Sequence, residues 1–223
     1  MFDLLVLATT NKNKIKEFKT IFTDFPVEIK SLSDFGPLPE AVEDGKTFDD
    51  NAYKKAHHYA KVLGIPCIAD DSGLSVDALD GAPGVYSARY AGKHATDVEN
   101  CQKLISEMTG KTNRGAHFTC VVSIATPSGP ALTYEATCDG LITEEKRGDS
   151  GFGYDPVFYY PSLDKTFAEL SLTEKNSVSH RGKVMKEIQS EIPKIMQWVK
   201  TRMMEELPEQ PDHSEFEHND WSQ

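Results

Sequence analysis

The chain opens with a continuous apolar run, Leu4 to Ala8, the pattern of a buried strand. From Lys12 the apolar positions switch to helical spacing, with Ile15, Phe18, Ile21 and Phe22 on one face. Val27 to Leu32 reads as a second strand, and the Pro- and Gly-rich stretch 33–46, "SDFGPLPEAVEDGK", as a loop. Thr47 begins a long helix whose inner face carries Phe48, Ala52, Ala56, Tyr59, Ala60 and Leu63, with Gly64 as its C-terminal stop. A third buried strand, Cys67 to Ala69, then runs into two adjacent carboxylates, Asp70 and Asp71. Strand, helix, strand, helix, strand predicts an α/β fold with parallel strands.

Asp80 to Gly92, "DGAPGVYSARYAG", reads as a long loop, and Thr96 with Glu99 as a capping box for a helix reaching Met108. Two long β segments follow, about His117–Thr126 and Leu132–Ile142, joined by a turn at Pro127–Pro130. Residues 147–156 are glycine-rich, and Val157–Tyr160 is a short strand. A helix from about Ser179 carries Val184, Ile188 and Ile192. Pro193 is expected to kink or restart it before Ile195, Met196, Trp198 and Val199. The acidic, Pro-containing end of the chain has no periodicity. The expected organisation is one domain over 1–204 and a disordered tail over 205–223.

A length of 223 residues suits one sizeable core. The 35 acidic residues outnumber the 24 Lys and Arg, giving a net charge of -11, which argues against a general nucleic-acid backbone binder. The four cysteines form no C-x-x-C pair and read as buried free thiols rather than a zinc site. The N-terminal apolar run is too short for a signal peptide, and no stretch approaches a membrane span, so a cytoplasmic protein without a membrane partner is expected.

Four stretches carry candidate chemistry. "ATTNKNK", Ala8 to Lys14, falls at the carboxyl end of the first strand, where α/β folds bind ligands and a helix N-terminus attracts anions; Asn11 and Lys14 are the candidate contacts. It has no Walker A glycines, and a solvated lysine-rich helix start is the alternative. Asp70-Asp71-Ser72-Gly73 places carboxylates where a magnesium ion would find hard oxygen ligands, with Glu43 and Asp44 as a second source; an Asp turn is the alternative. "SGFGYDP", Ser150 to Pro156, offers Phe152 to stack on a flat ligand, close backbone approach at its glycines, and polar edges on Tyr154 and Asp155; a β-bulge with core aromatics is the alternative. In "EKNSVSHRG", Lys175, His180 and Arg181 gather cationic donors at a helix start, against the dipole.

Taken together, "LATTNKNKIKE", "EDGKTFDDNAYKKA", "IADDSGLSVDALDGAPGVYSARYAG", "GFGYDPVF" and "LTEKNSVSHRG" resemble the inosine triphosphate pyrophosphatases, in the family's order and over nearly the whole chain to about residue 200. The resemblance implies an elongated mixed sheet flanked by helices, two lobes with a cleft between them, and a homodimer. It implies Mg²⁺-dependent hydrolysis of ITP, dITP and XTP to the monophosphate and pyrophosphate. It places the triphosphate on Thr9, Thr10, Asn11, Lys12, Asn13 and Lys14, with Lys55 nearby, and the metal on Glu43 and Asp71. Asp71 is also the implied base for the attacking water, and Ser72 touches substrate. Phe152, Gly153, Tyr154 and Asp155 form the base-binding segment, and Lys175, His180 and Arg181 read the purine edge. Thr10 stands where many relatives have glycine. Rival readings are a Maf-type nucleotide pyrophosphatase, which would not carry "FGYDP" with "SHRG", a catalytically silent nucleotide-binding module, and an interaction protein working through its acidic tail.

Overall fold

The computed structural model describes residues 4–205; the expected tail from 206 onward lies outside them. Among the described residues, seven strands form one mixed sheet: β1 (Leu4–Leu7), β2 (Glu28–Ser31), β3 (Cys67–Val76), β4 (Gly115–Ala125), β5 (Ala131–Ile142), β6 (Phe158–Tyr160) and β7 (Lys165–Thr166). Their order across the sheet is β2-β1-β3-β4-β5-β6-β7. β1 runs parallel to β2 and β3, as the alternation of elements requires, and every later pairing is antiparallel. The described residues also form the α-helices α1 (Lys12–Ile21), α2 (Phe48–Leu63), α3 (Asp97–Glu107), α4 (Leu172–Val178) and α5 (His180–Glu205).

Each sheet face buries what the sequence periodicity supplies. On one face, Leu5, Leu7, Ile68, Cys120, Val122 and Ile124 meet Phe18 and Phe22 of α1 and the Val184, Ile188, Ile192, Ile195 stripe of α5. On the other, Val6, Ala8, Cys67, Ala69 and Ala125 meet Tyr59 of α2 and Ala56 and Ala60, whose small side chains let helix and sheet approach closely. A third cluster at the far end joins Leu74, Phe118, Phe158 and Phe167 to Cys101 and Leu104 of α3. Burying each large apolar side chain is worth about 1.5–3 kcal/mol. All four cysteines are free and buried, and burial pushes their thiols above the ordinary range.

The ends of α2 follow from its sequence. Thr47 accepts from the Asp50 N–H at 3.0 Å, and Gly64 closes the helix in the left-handed conformation at φ 66. Two expectations need correction. Pro193 does not break α5, which runs unbroken to Glu205 with the proline on its exposed side. And β3 does not stop at Ala69: it continues through both aspartates to Val76, paired with β4 along its whole length from Cys67↔Ala125 to Val76↔Ala116. Among the described residues, no helix is long and apolar enough to cross a membrane.

Candidate active site

Because Asp70 and Asp71 lie inside a strand, the pleat sends their side chains to opposite faces. Asp71 points toward α2 and is half-buried. Its Oδ1 accepts from the Ser72 N–H at 3.0 Å. Burial raises its carboxyl above the ordinary value; Lys55 and a hydrogen bond from Asn51 pull the other way, and the nearby Glu43 charge raises it further. Lys55, one helical turn beyond Asn51, donates to Glu43 at 3.1 Å. Glu43, Lys55 and Asp71 therefore gather on one face, as the sequence leads one to expect. Asp44 instead pairs with Lys54 at the surface.

Asp70 faces the α1–α5 side and is 2% exposed. Its Oδ2 lies 2.8 Å from Lys14 Nζ and accepts from Arg181 at 3.0 Å. Burial alone would raise its carboxyl, but Lys14 and Arg181 outweigh it and hold the pKa down at about 2. Asp70 is thus neither part of an Asp turn nor beside Glu43; it is the shared anion of two cations.

Beside this pair opens a cleft of about 900 Å³, lined by Ser72, Phe118, Phe152, Lys175, His180 and Arg181, among others. Gly153, Tyr154 and Asp155 line it too. Phe152 is 56% exposed, with Lys175 Nζ 4.7 Å from its ring centre. The Asp155 Oδ2 fixes this rim by accepting from the Phe152 N–H at 2.9 Å and from Lys175 Nζ. Gly151 makes the contact possible: its φ is +81, and a Cβ there would lie 2.0 Å from that same Oδ2. The alternative reading of this segment survives in part, since Tyr154 is buried and donates its hydroxyl to Ser87 O. His180 corrects another expectation. It stacks on Phe118 with centroids 4.7 Å apart. Burial, then Arg181 and Lys175, push its pKa down to about 3, so it is a neutral imidazole rather than a cationic donor. Its Nδ1, Ser72 Oγ and Arg181 Nε are buried in the cleft wall without a nitrogen or oxygen partner, Ser72 and Arg181 lying beside Cys120.

The turn after β1 joins the two faces. Thr9 Oγ1 accepts from the Asn11 N–H at 3.1 Å, and Asn11 Oδ1 from the Lys14 N–H at 3.3 Å, which caps α1. Thr10, Asn11 and Lys12 are exposed, and Asn13 lies in the first helical turn. Among the described residues, only Asp80 and Asp164 adopt positive φ without being glycine, so Thr10 occupies the place of the expected glycine without strain. β1 pairs with β3 only at Val6↔Cys67 and Leu7↔Ile68. Beyond that, up to the Leu74 N–H held by Ser87 Oγ, the edge of β3 faces this turn rather than a strand. A ligand passing over that edge reaches the cleft on one side and Asp71 with Glu43 on the other. Sequence reasoning missed Asn51 and Phe118 here. For Asn51 the signal is a short polar residue on the inner face of α2; Phe118 carries none beyond ordinary strand alternation.

Fold and site together define an α/β protein with an Asn- and Lys-rich turn at the carboxyl end of its first strand, a carboxylate pair on one face of its sheet and an aromatic-rimmed, cation-bearing cleft on the other. The Ham1 family model matches residues 5–191, and the chain belongs to that family. It is 67% identical to a protein of Desulfotalea psychrophila named dITP/XTP pyrophosphatase, over 100% of both chains. A protein of the same name from Syntrophobacter fumaroxidans is 55% identical over 91% of this chain and 88% of its own. The solved Ham1 protein of Staphylococcus aureus is 42% identical with a TM-score of 0.81, covering 85% of this chain and 98% of that one.

Proposed function

We propose that this protein hydrolyses the nonstandard purine nucleoside triphosphates ITP, dITP and XTP to the monophosphate and pyrophosphate. One observation carries the reading: the open edge of β3 separates a carboxylate pair from a base-sized cleft, so that a single extended nucleotide can engage both. The names of the full-length relatives support it. In this reading Phe152 stacks on the base, and Ser72 Oγ, His180 Nδ1 and Arg181 Nε meet its polar atoms or those of the sugar. Lys14 and the α1 N-terminus hold the phosphates as charge grows on the leaving pyrophosphate. Asp71, raised by burial and held by Ser72 and Asn51, takes the proton of the attacking water.

The donor set fits magnesium. Glu43 and Asp71 supply hard carboxylate oxygens, and the Lys55 ammonium already marks the place beside Glu43 as one for positive charge. Among the described residues no group of three or more His, Cys, Asp or Glu could form an all-protein cage, whereas Mg²⁺ is commonly held by one or two carboxylates plus substrate phosphates. Bound there, the ion would neutralise phosphate charge and favour attack by water. The reading also includes a homodimer, which light scattering tests.

The decisive experiment measures pyrophosphate release from ITP, dITP, XTP, GTP and ATP with and without magnesium. Magnesium-dependent release from the first three, well above ATP, is expected; equal rates on all five would refute the proposed substrate class. Asp71→Asn should lower turnover about 10²–10⁴-fold while the fold is kept.

A further inference from the structure

Asn51 sits in the first turn of α2, facing inward, and is 3% exposed. Asparagine is a poor choice inside a helix, because its side chain competes for backbone hydrogen bonds. A buried amide without partners costs about 1–3 kcal/mol. The position is therefore explained only by what the amide holds. Its Oδ1 accepts from the Gly45 N–H at 2.8 Å, and its amide lies beside the Asp71 carboxylate, whose pKa it lowers. Gly45 is pressed against it: a Cβ there would lie 2.7 Å from Asn51 Oδ1 and 2.6 Å from Asp50 Cβ. Gly45 stands two residues after Glu43, and Glu43 is held by Lys55, four residues along the same helix face. One buried amide thus joins three separate pieces of chain: the loop bearing Glu43, α2 and β3.

We propose that Asn51 is a positioning residue that sets the orientation of the Asp71 carboxylate and holds the Glu43 loop at a fixed separation from it. A carboxylate offers about four acceptor directions. The Ser72 N–H takes one, and the Asn51 amide beside the carboxylate favours one setting of it, which leaves directions for a cation and a water. Without Asn51 the Asp71 side chain is free to turn, and the Glu43 loop loses its anchor to the helix. Small losses of alignment in such supporting contacts are costly to turnover even when binding survives. The inference rests on the proposed hydrolysis.

The test uses two variants that reach the same contact differently. Asn51→Ala deletes the amide; Gly45→Ala leaves it in place but drives a methyl into it. Each is expected to lower kcat for ITP about 10–100-fold and to weaken Mg²⁺ binding to the protein saturated with a non-hydrolysable ITP analogue, measured by titration calorimetry, by about tenfold or more. Binding of inosine monophosphate, which reads the cleft on the opposite face, should stay at the parent value. A merely structural role would lower thermal stability and monophosphate binding together. Folded variants with parental kcat and parental Mg²⁺ affinity overturn the inference while leaving the proposed function intact. A parent protein that releases no pyrophosphate from ITP overturns both.

Discussion

At the scale of single residues, the pleat resolves what adjacency makes look costly. Two neighbouring aspartates in a buried strand would repel, yet Asp70 and Asp71 face different helices: Lys14 and Arg181 hold Asp70, and Lys55 lowers Asp71. Asp70→Asn removes the charge shared by Lys14 and Arg181 and leaves two enclosed cations short of a partner. A loss of about 3 kcal/mol in chemical denaturation is expected; an unchanged midpoint would show that Glu17, 3.5 Å from Arg181, compensates alone. His180 gives a pH dependence of definite sign. The folded protein keeps it neutral down to about pH 3. The unfolded chain binds a proton near 6.5, so below that pH unfolding takes up a proton. The stabilisation is complete above pH 6.5 and is lost as pH falls toward 3, by about 1.4 kcal/mol per unit. Parent and His180→Phe, unfolded in urea at several pH values from about 6.5 to 4.5, should differ in slope by that amount, the parent being the steeper.

At the scale of elements, what was legible in the chain was whatever local chemistry determines. Thr47 and Gly64 bound α2 as caps should, and the Thr96–Glu99 box opens α3. The start of α4 carries the same signature, Ser171 with Glu174, but its seven residues hold too few apolar positions for the spacing to show it. β3 was cut short because buried charge looks like a terminus. Only the partner strand β4, forty residues later, and the cations from α1 and α5 make it continue, and no local pattern contains them. α5 passes Pro193 because Ile192 and Ile195 stay in phase on the buried stripe, and that packing outweighs the lost hydrogen bond. The proline remains a cost: Pro193→Ala should raise stability by about 1–3 kcal/mol, read as a higher melting temperature. The glycine-rich rim has the opposite sensitivity. Gly151→Ala combines a left-handed backbone penalty of about 1–2 kcal/mol with displacement of Asp155. It should raise KM for ITP more than it lowers kcat, whereas an unaltered KM would separate Phe152 from base binding.

At the scale of the whole molecule, the site draws on five stretches distant in sequence: the turn after β1, the loop before α2, the middle of β3, the rim at 151–155 and the α4–α5 junction. Their residue types were legible. Their division between two sheet faces was not, because it depends on the register of β3 against β4 and on how short β1 is. That shortness has a consequence in the time domain. Successive amides of β3 point to opposite edges: those of Ser72 and Leu74 turn away from β4, toward Asp71 Oδ1 and Ser87 Oγ, while those of Asp71 and Gly73 turn to the ladder. Amide exchange with solvent deuterium should therefore alternate along this strand. Asp71 and Gly73 should open only with the sheet as a whole, while Ser72, held by nothing but its neighbour's side chain, should exchange orders of magnitude sooner. A nucleotide lying over that edge would slow the edge-facing amides there, Ser72 among them, and leave Asp71 and Gly73 unchanged, making that contrast a reporter of occupancy.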